Sequence, residues 1–183
     1  EYALLDLLLT ESGRPVTWLA LLNRDDKPNV CQETLRATAA LCQKGAVPQV
    51  SCRPLIIQID LRVPFIFSNL PCWKPAFQRP VEEQKQFYRD PNFRAAFRKE
   101  METPKVFSGR WDRAIVHEVG NPALASLVGK SVAQIAKERG KDGLDTFLDL
   151  AIEDELQLQY TYELFNATEE RIPDLITDPR VMV

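Results

Sequence analysis

Val16-Thr17-Trp18-Leu19-Ala20-Leu21-Leu22 is an apolar run in which Thr17 is the one polar residue. Arg14-Pro15 precedes it, and the polar stretch from Asn23 to Asn29 follows it. A short apolar run between such boundaries fits a strand buried on both faces, as in a parallel sheet covered by helices. Upstream, residues 2 to 11 carry leucines on nearly every face, which predicts a well-covered helix ended by Gly13. Downstream, Val30, Leu35, Ala39, Leu41 and Cys42 supply the apolar positions of a helix over about 30–44, with Gly45 as its stop. A second strand, Ala46 to Cys52, follows.

The alternation continues toward the carboxyl end. Residues 53–80 hold Pro54, Pro64, Pro71, Pro75 and Pro80 among aromatics, and Phe65, Phe67, Trp73 and Phe77 need burial. That segment therefore reads as an ordered excursion. Residues 81–101 read as two helical pieces, with Asp90 as N-cap and Pro91 at the first helical position of the second. Arg113 to His117 fits a third strand. Ser131 to Gln134 is a capping box, and the helix it opens ends at Gly140. Asp142 caps the next helix, which presents Leu144, Phe147, Leu148 and Ala151 on one face. Leu156 to Phe165 predicts a fourth strand, Thr168 to Thr177 a short helix, and Arg180 to Val183 the start of a fifth strand.

Strand and helix in repeated succession predict α/β structure with parallel strands and crossover helices. About five strands fall short of the eight that close a (β/α) barrel. The expectation is a partial TIM-type barrel spanning 1–183, a fragment of something larger. The missing initiator methionine points the same way. Apolar residues at 45% and a net charge of -3 exclude a disordered chain and a nucleic-acid-binding basic block. No run approaches the length that spans a bilayer. The four cysteines show no Cys-x-x-Cys spacing. Cys31 and Cys42, placed on one helix, would lie ~16 Å apart, beyond disulfide reach. Reduced thiols in a cytoplasmic protein are expected.

Several residues invite a chemical reading. Gly129-Lys130-Ser131 lacks the glycine a phosphate loop needs five residues earlier, where Leu124 stands. His117 is the single histidine, so this chain by itself cannot assemble a histidine-based metal site or triad. At a strand end, His117 and Glu118 are candidates for a site, though structural roles are commoner. Gln49, Ser51 and Arg53 alternate along the second strand, and Arg53 suits a carboxylate clamp through two parallel hydrogen bonds. Glu153-Asp154-Glu155 reads as a solvated helix end.

Three segments resemble the amidohydrolase family that includes the N-acyl-D-amino-acid deacylases (D-aminoacylases). They are Gly13 to Trp18, then Pro48 to Leu55. The third comprises Leu127 to Ala136, Gly140 to Asp145, Leu148 to Ala151 and Asp178 to Val183. The resemblance implies a metal-dependent hydrolase of carbon–nitrogen amide bonds, with zinc or another divalent metal activating water. It implies that a His-x-His pair lies upstream of Glu1 and a metal-binding Asp beyond Val183, so this chain alone is expected to bind no metal and to be inactive. Where those enzymes carry a histidine, this chain has Val16-Thr17-Trp18, and tryptophan cannot ligate a metal. What carries over is pocket lining: Trp18 as an apolar wall, Gln49 and Ser51 at a strand end, and Arg53 as anchor for the carboxylate of an N-acyl amino acid. No nucleic acid or membrane partner is expected. Exposed barrel-facing surface predicts a homo-oligomer or swapped dimer. The rival reading is a non-catalytic α/β binding or scaffold module derived from the barrel.

Overall fold

A computed structural model describes residues 1–103 and 106–183. Along the chain run α1 (Tyr2–Ser12), β1 (Val16–Trp18), α2 (Val30–Ala37), α3 (Ala39–Gln43), β2 (Ala46–Pro48) and β3 (Leu55–Asp60). There follow α4 (Val81–Arg89), α5 (Pro91–Met101), β4 (Ala114–Glu118), α6 (Val132–Arg139), α7 (Gly143–Glu153), β5 (Gln159–Phe165) and α8 (Ile172–Ile176). The fold is mixed α/β. The described residues divide into two compact units: residues 1–55 with 164–183, and residues 56–163, so the second interrupts the first in sequence.

The first unit holds a parallel pair, β1 with β2, in which Val16 lies opposite Ala46, Thr17 opposite Val47 and Trp18 opposite Pro48. Met182 joins the other side of β2 through a parallel bridge to Gln49. Helices α2 and α3 make the crossover from β1 to β2, broken at Thr38, and α8 precedes Met182. The break corrects the single helix expected over 30–44 and puts Cys31 and Cys42 on separate helices. The sheet's core side packs Val50 with Leu21, Cys31, Leu35 and Leu175, and Trp18, Ile176 and Val181 close around them. All four cysteines are free thiols.

Helix α1 departs from expectation. Leu9 faces inward, but Tyr2, Leu4, Leu7 and Leu8 are exposed. Leucines on every face of a helix can be covered only if it is surrounded, and in this chain α1 is packed on one side.

The second unit is built on aromatic packing. Phe67 stacks on Trp73 at 4.2 Å between ring centroids, and Phe97, Phe107 and Phe147 meet Phe67 edge-on. Such pairs add roughly 0.5–1.5 kcal/mol each beyond the area they bury. Phe67 and Trp73 are buried as expected, whereas Phe65 is exposed. Its sheet has the order β3-β5-β4, and β4 pairs antiparallel with β5. This corrects the expectation of parallel strands throughout. Two helices, α6 and α7, lie between β4 and β5. Each helix reverses the chain, so two return it antiparallel where one would return it parallel. The helix signals held: Ser131 and Gln134 form both halves of the capping box, Asp142 accepts from the Asp145 N–H, and Asp90 from that of Asn92.

Candidate functional site: the carboxyl ends of the parallel strands

Gln49 is where the parallel strands meet. Its N–H donates to the Trp18 carbonyl at 2.9 Å, and its carbonyl accepts from the Leu21 N–H at 3.0 Å. On the other side, the Met182 N–H donates to the Pro48 carbonyl at 3.0 Å and the Val50 N–H to the Met182 carbonyl at 2.8 Å. Side chains along a strand alternate between its faces. Ala46, Pro48 and Val50 are buried, while Val47, Gln49 and Ser51 are half-buried on the opposite face. Thr17 shares that second face, since the Gln49 Nε2 donates to the Thr17 Oγ1 at 3.2 Å.

Beyond the carboxyl ends of β1 and β2 lies an open cavity of about 300 Å³. Leu19, Leu22, Leu55 and Met182 give it apolar walls, and Gln49 and Ser51 contribute its polar side chains. A mostly apolar hollow with a few polar groups is the usual composition of a small-molecule site.

Asn166 braces this end of the unit. It is buried and stands in the left-handed region at φ 54. Its Oδ1 accepts from the Asn23 N–H at 2.8 Å and its Nδ2 donates to the Ser51 carbonyl at 2.9 Å. Asn23, also buried, donates from Nδ2 to the Arg171 carbonyl at 3.3 Å. The loops that leave β1 and β2 are thus tied to one side chain. Nothing in the sequence marked Asn166, which sits 143 residues from Asn23. The remaining hint was the type: asparagine tolerates the left-handed conformation better than most residues.

Of the residues anticipated as pocket lining, Gln49 and Ser51 come together on the cavity. Arg53 is exposed. Its backbone N–H donates to the Ser51 Oγ and its carbonyl accepts from the Ser51 hydroxyl, both at 3.1 Å. Trp18 lies on the opposite face of the sheet, against the core, and its indole N–H is buried without a partner. His117 is exposed in the second unit, at a register irregularity between Val116 and Glu118. In the acidic cluster Glu153 and Glu155 are exposed, as a solvated helix end requires, but Asp154 departs from that reading. It is fully buried, and its carboxylate accepts from the Gly120 and Asn121 N–H groups at 2.8 and 2.6 Å. Ser131 caps α6. Among the described residues no group of three or more His, Cys, Asp or Glu side chains is arranged to hold a metal ion. No described helix is long and apolar enough to cross a membrane.

The chain is 30% identical over 104 residues to an uncharacterized protein of Mycobacterium tuberculosis, and equally to one of Mycobacterium bovis. The match takes in 54% of this chain and 16% of each relative's length, so it spans only a small part of those proteins. No protein-family model matches the chain, and no solved structure does.

Proposed function

We propose that the first unit is a portion of a (β/α) barrel, and that the chain is part of a metal-dependent hydrolase of N-acyl amino acids, of the D-aminoacylase kind its sequence resembles. One observation carries the reading. The cavity lies beyond the carboxyl ends of two parallel strands joined by the α2–α3 crossover, the end at which barrels and open α/β sheets place their chemistry, and Gln49 and Ser51 line it. In this reading the Gln49 amide and the Ser51 hydroxyl hydrogen-bond the substrate's amide, and the exposed Arg53 guanidinium takes its carboxylate at the rim. Trp18 acts from behind, as packing under the strand. Zinc or another divalent metal would supply the activated water. Amide and hydroxyl side chains such as those of Gln49, Ser51 and Thr17 are poor zinc donors. This wall therefore binds substrate, and the metal's ligands belong to other parts of the whole protein.

The test is amine release from N-acetyl-D- and N-acetyl-L-amino acids by the whole protein that carries this segment, supplied with zinc, cobalt or manganese. Turnover is expected, with KM raised about tenfold in Arg53→Ala, the cost of a lost hydrogen bond between charged groups. No turnover with any of these metals would sink the hydrolase reading and leave the binding-module alternative.

A further inference from the structure

We infer that the cavity at the ends of β1 and β2 is a subsite for an unbranched apolar acyl chain of medium length. This inference rests on the proposed N-acyl substrate class and narrows it. The walls supplied by Leu19, Leu22, Leu55 and Met182 carry no hydrogen-bonding side chain, so a polar substituent entering there would lose its water without replacement. The polar side chains are confined to Gln49 and Ser51, just beyond the end of β2. A ligand that satisfies both parts has an amide or carboxyl head and a plain hydrocarbon tail.

Exposure points to the same occupant. Leu19 and Leu55 are among the large apolar side chains left exposed, Leu19 at 79%. They converge on this one hollow. An alkyl chain lying among them would remove apolar surface from water on both sides of the contact, which is the driving force for its capture. A cavity of about 300 Å³ exceeds what an acetyl group needs and is too small for a macromolecular partner.

N-acylglycines provide the probe, because they are achiral and differ only in the tail. The whole protein, with a chelator present so that nothing is turned over, is titrated calorimetrically with acetyl-, butanoyl-, hexanoyl- and octanoylglycine. Affinity is expected to rise by up to about fourfold per added methylene and to level off when the hollow is full. Leu19→Ser with Leu55→Ser should remove most of that gain. Both side chains are exposed, so the double variant keeps its fold, which the melting curve checks. Equal affinity across the series, or an unchanged slope in a folded double variant, would overturn the subsite. Glycine release from the metal-loaded protein is scored separately. A rising series with no release removes the hydrolase reading and leaves the acyl subsite standing.

Discussion

Asn166 and Asn23 hold each other through a two-way contact. The Asn23 N–H donates to the Asn166 Oδ1 at 2.8 Å, and the Asn166 N–H donates to the Asn23 carbonyl at 3.0 Å. Replacing Asn166 by alanine leaves the buried Asn23 N–H and the Ser51 carbonyl without partners, at roughly 1–3 kcal/mol for each orphaned group. It also leaves a β-carbon at φ 54. Asn166→Gly loses the same hydrogen bonds but not the conformational freedom, since glycine enters the left-handed region at little cost. Urea unfolding should rank wild type above Asn166→Gly, and that above Asn166→Ala by about 1 kcal/mol. Equal stability of the two variants would show that the backbone conformation contributes nothing.

Asp154 does comparable work in the second unit. Its two oxygens satisfy the Gly120 and Asn121 N–H groups from a fully buried position. Asp154→Ala should cost about 2–4 kcal/mol in urea unfolding, two backbone donors losing a buried, charged acceptor. Hydrogen exchange localises the effect: protection of the Gly120 and Asn121 amides should fall far more than that of Tyr162, at the centre of β5. A uniform loss would mean the carboxylate acts elsewhere.

What could be read from the sequence follows how far apart the interacting groups lie. Ser131 with Gln134, Asp142 with Asp145 and Asp90 with Pro91 are neighbours, so their caps were legible. The parallel pairing of β1 and β2 was legible because one helical stretch separates them. β4 and β5 are antiparallel because two helices, α6 and α7, separate them. Leu19 to Leu22 continue the apolar run but leave the strand, since Leu19 is exposed and Leu21 turns to the core. At the site, alternation put Gln49 and Ser51 on one face. It could not say that Trp18, at a strand end of the same sheet, faces the other way, because that depends on register. The Asn23–Asn166 clamp had no local signature at all.

Gly143 is a position where only hydrogen fits. A β-carbon there would stand 2.3 Å from the Trp111 Cδ1. Trp111 is held in turn by Phe147 at 5.3 Å and Phe107 at 5.7 Å between centroids, so its ring has little room to withdraw. Gly143→Ala should lower stability by about 1–3 kcal/mol despite alanine's better helix propensity, because overpacking outweighs it. Combining it with Trp111→Leu should recover part of that loss. A double variant no more stable than the sum of the single losses would refute the clash.

Burial pushes the Asp142 carboxyl up, but hydrogen bonding with Asp145 and the Arg98 guanidinium more than reverses this and holds it at about 2. The Arg180 guanidinium, bonded to Asp178 at 2.8 and 2.6 Å, keeps that carboxyl below the ordinary range as well. A carboxyl whose affinity for protons is lowered by folding is protonated first in the unfolded chain. Its contribution is therefore complete above about pH 4, the ordinary Asp value, and is lost as the pH falls toward 2. Thermal unfolding followed from pH 7 to 2 should show its steepest loss of Tm below pH 4. Asp142→Asn isolates one group, since asparagine caps a helix as well as aspartate does while giving up the charge. Asp178→Asn isolates the other. Both variants should be less stable than wild type at pH 7 and should approach it near pH 2. Profiles that stay parallel to wild type down to pH 2 would mean that neither ion pair contributes to the folded state.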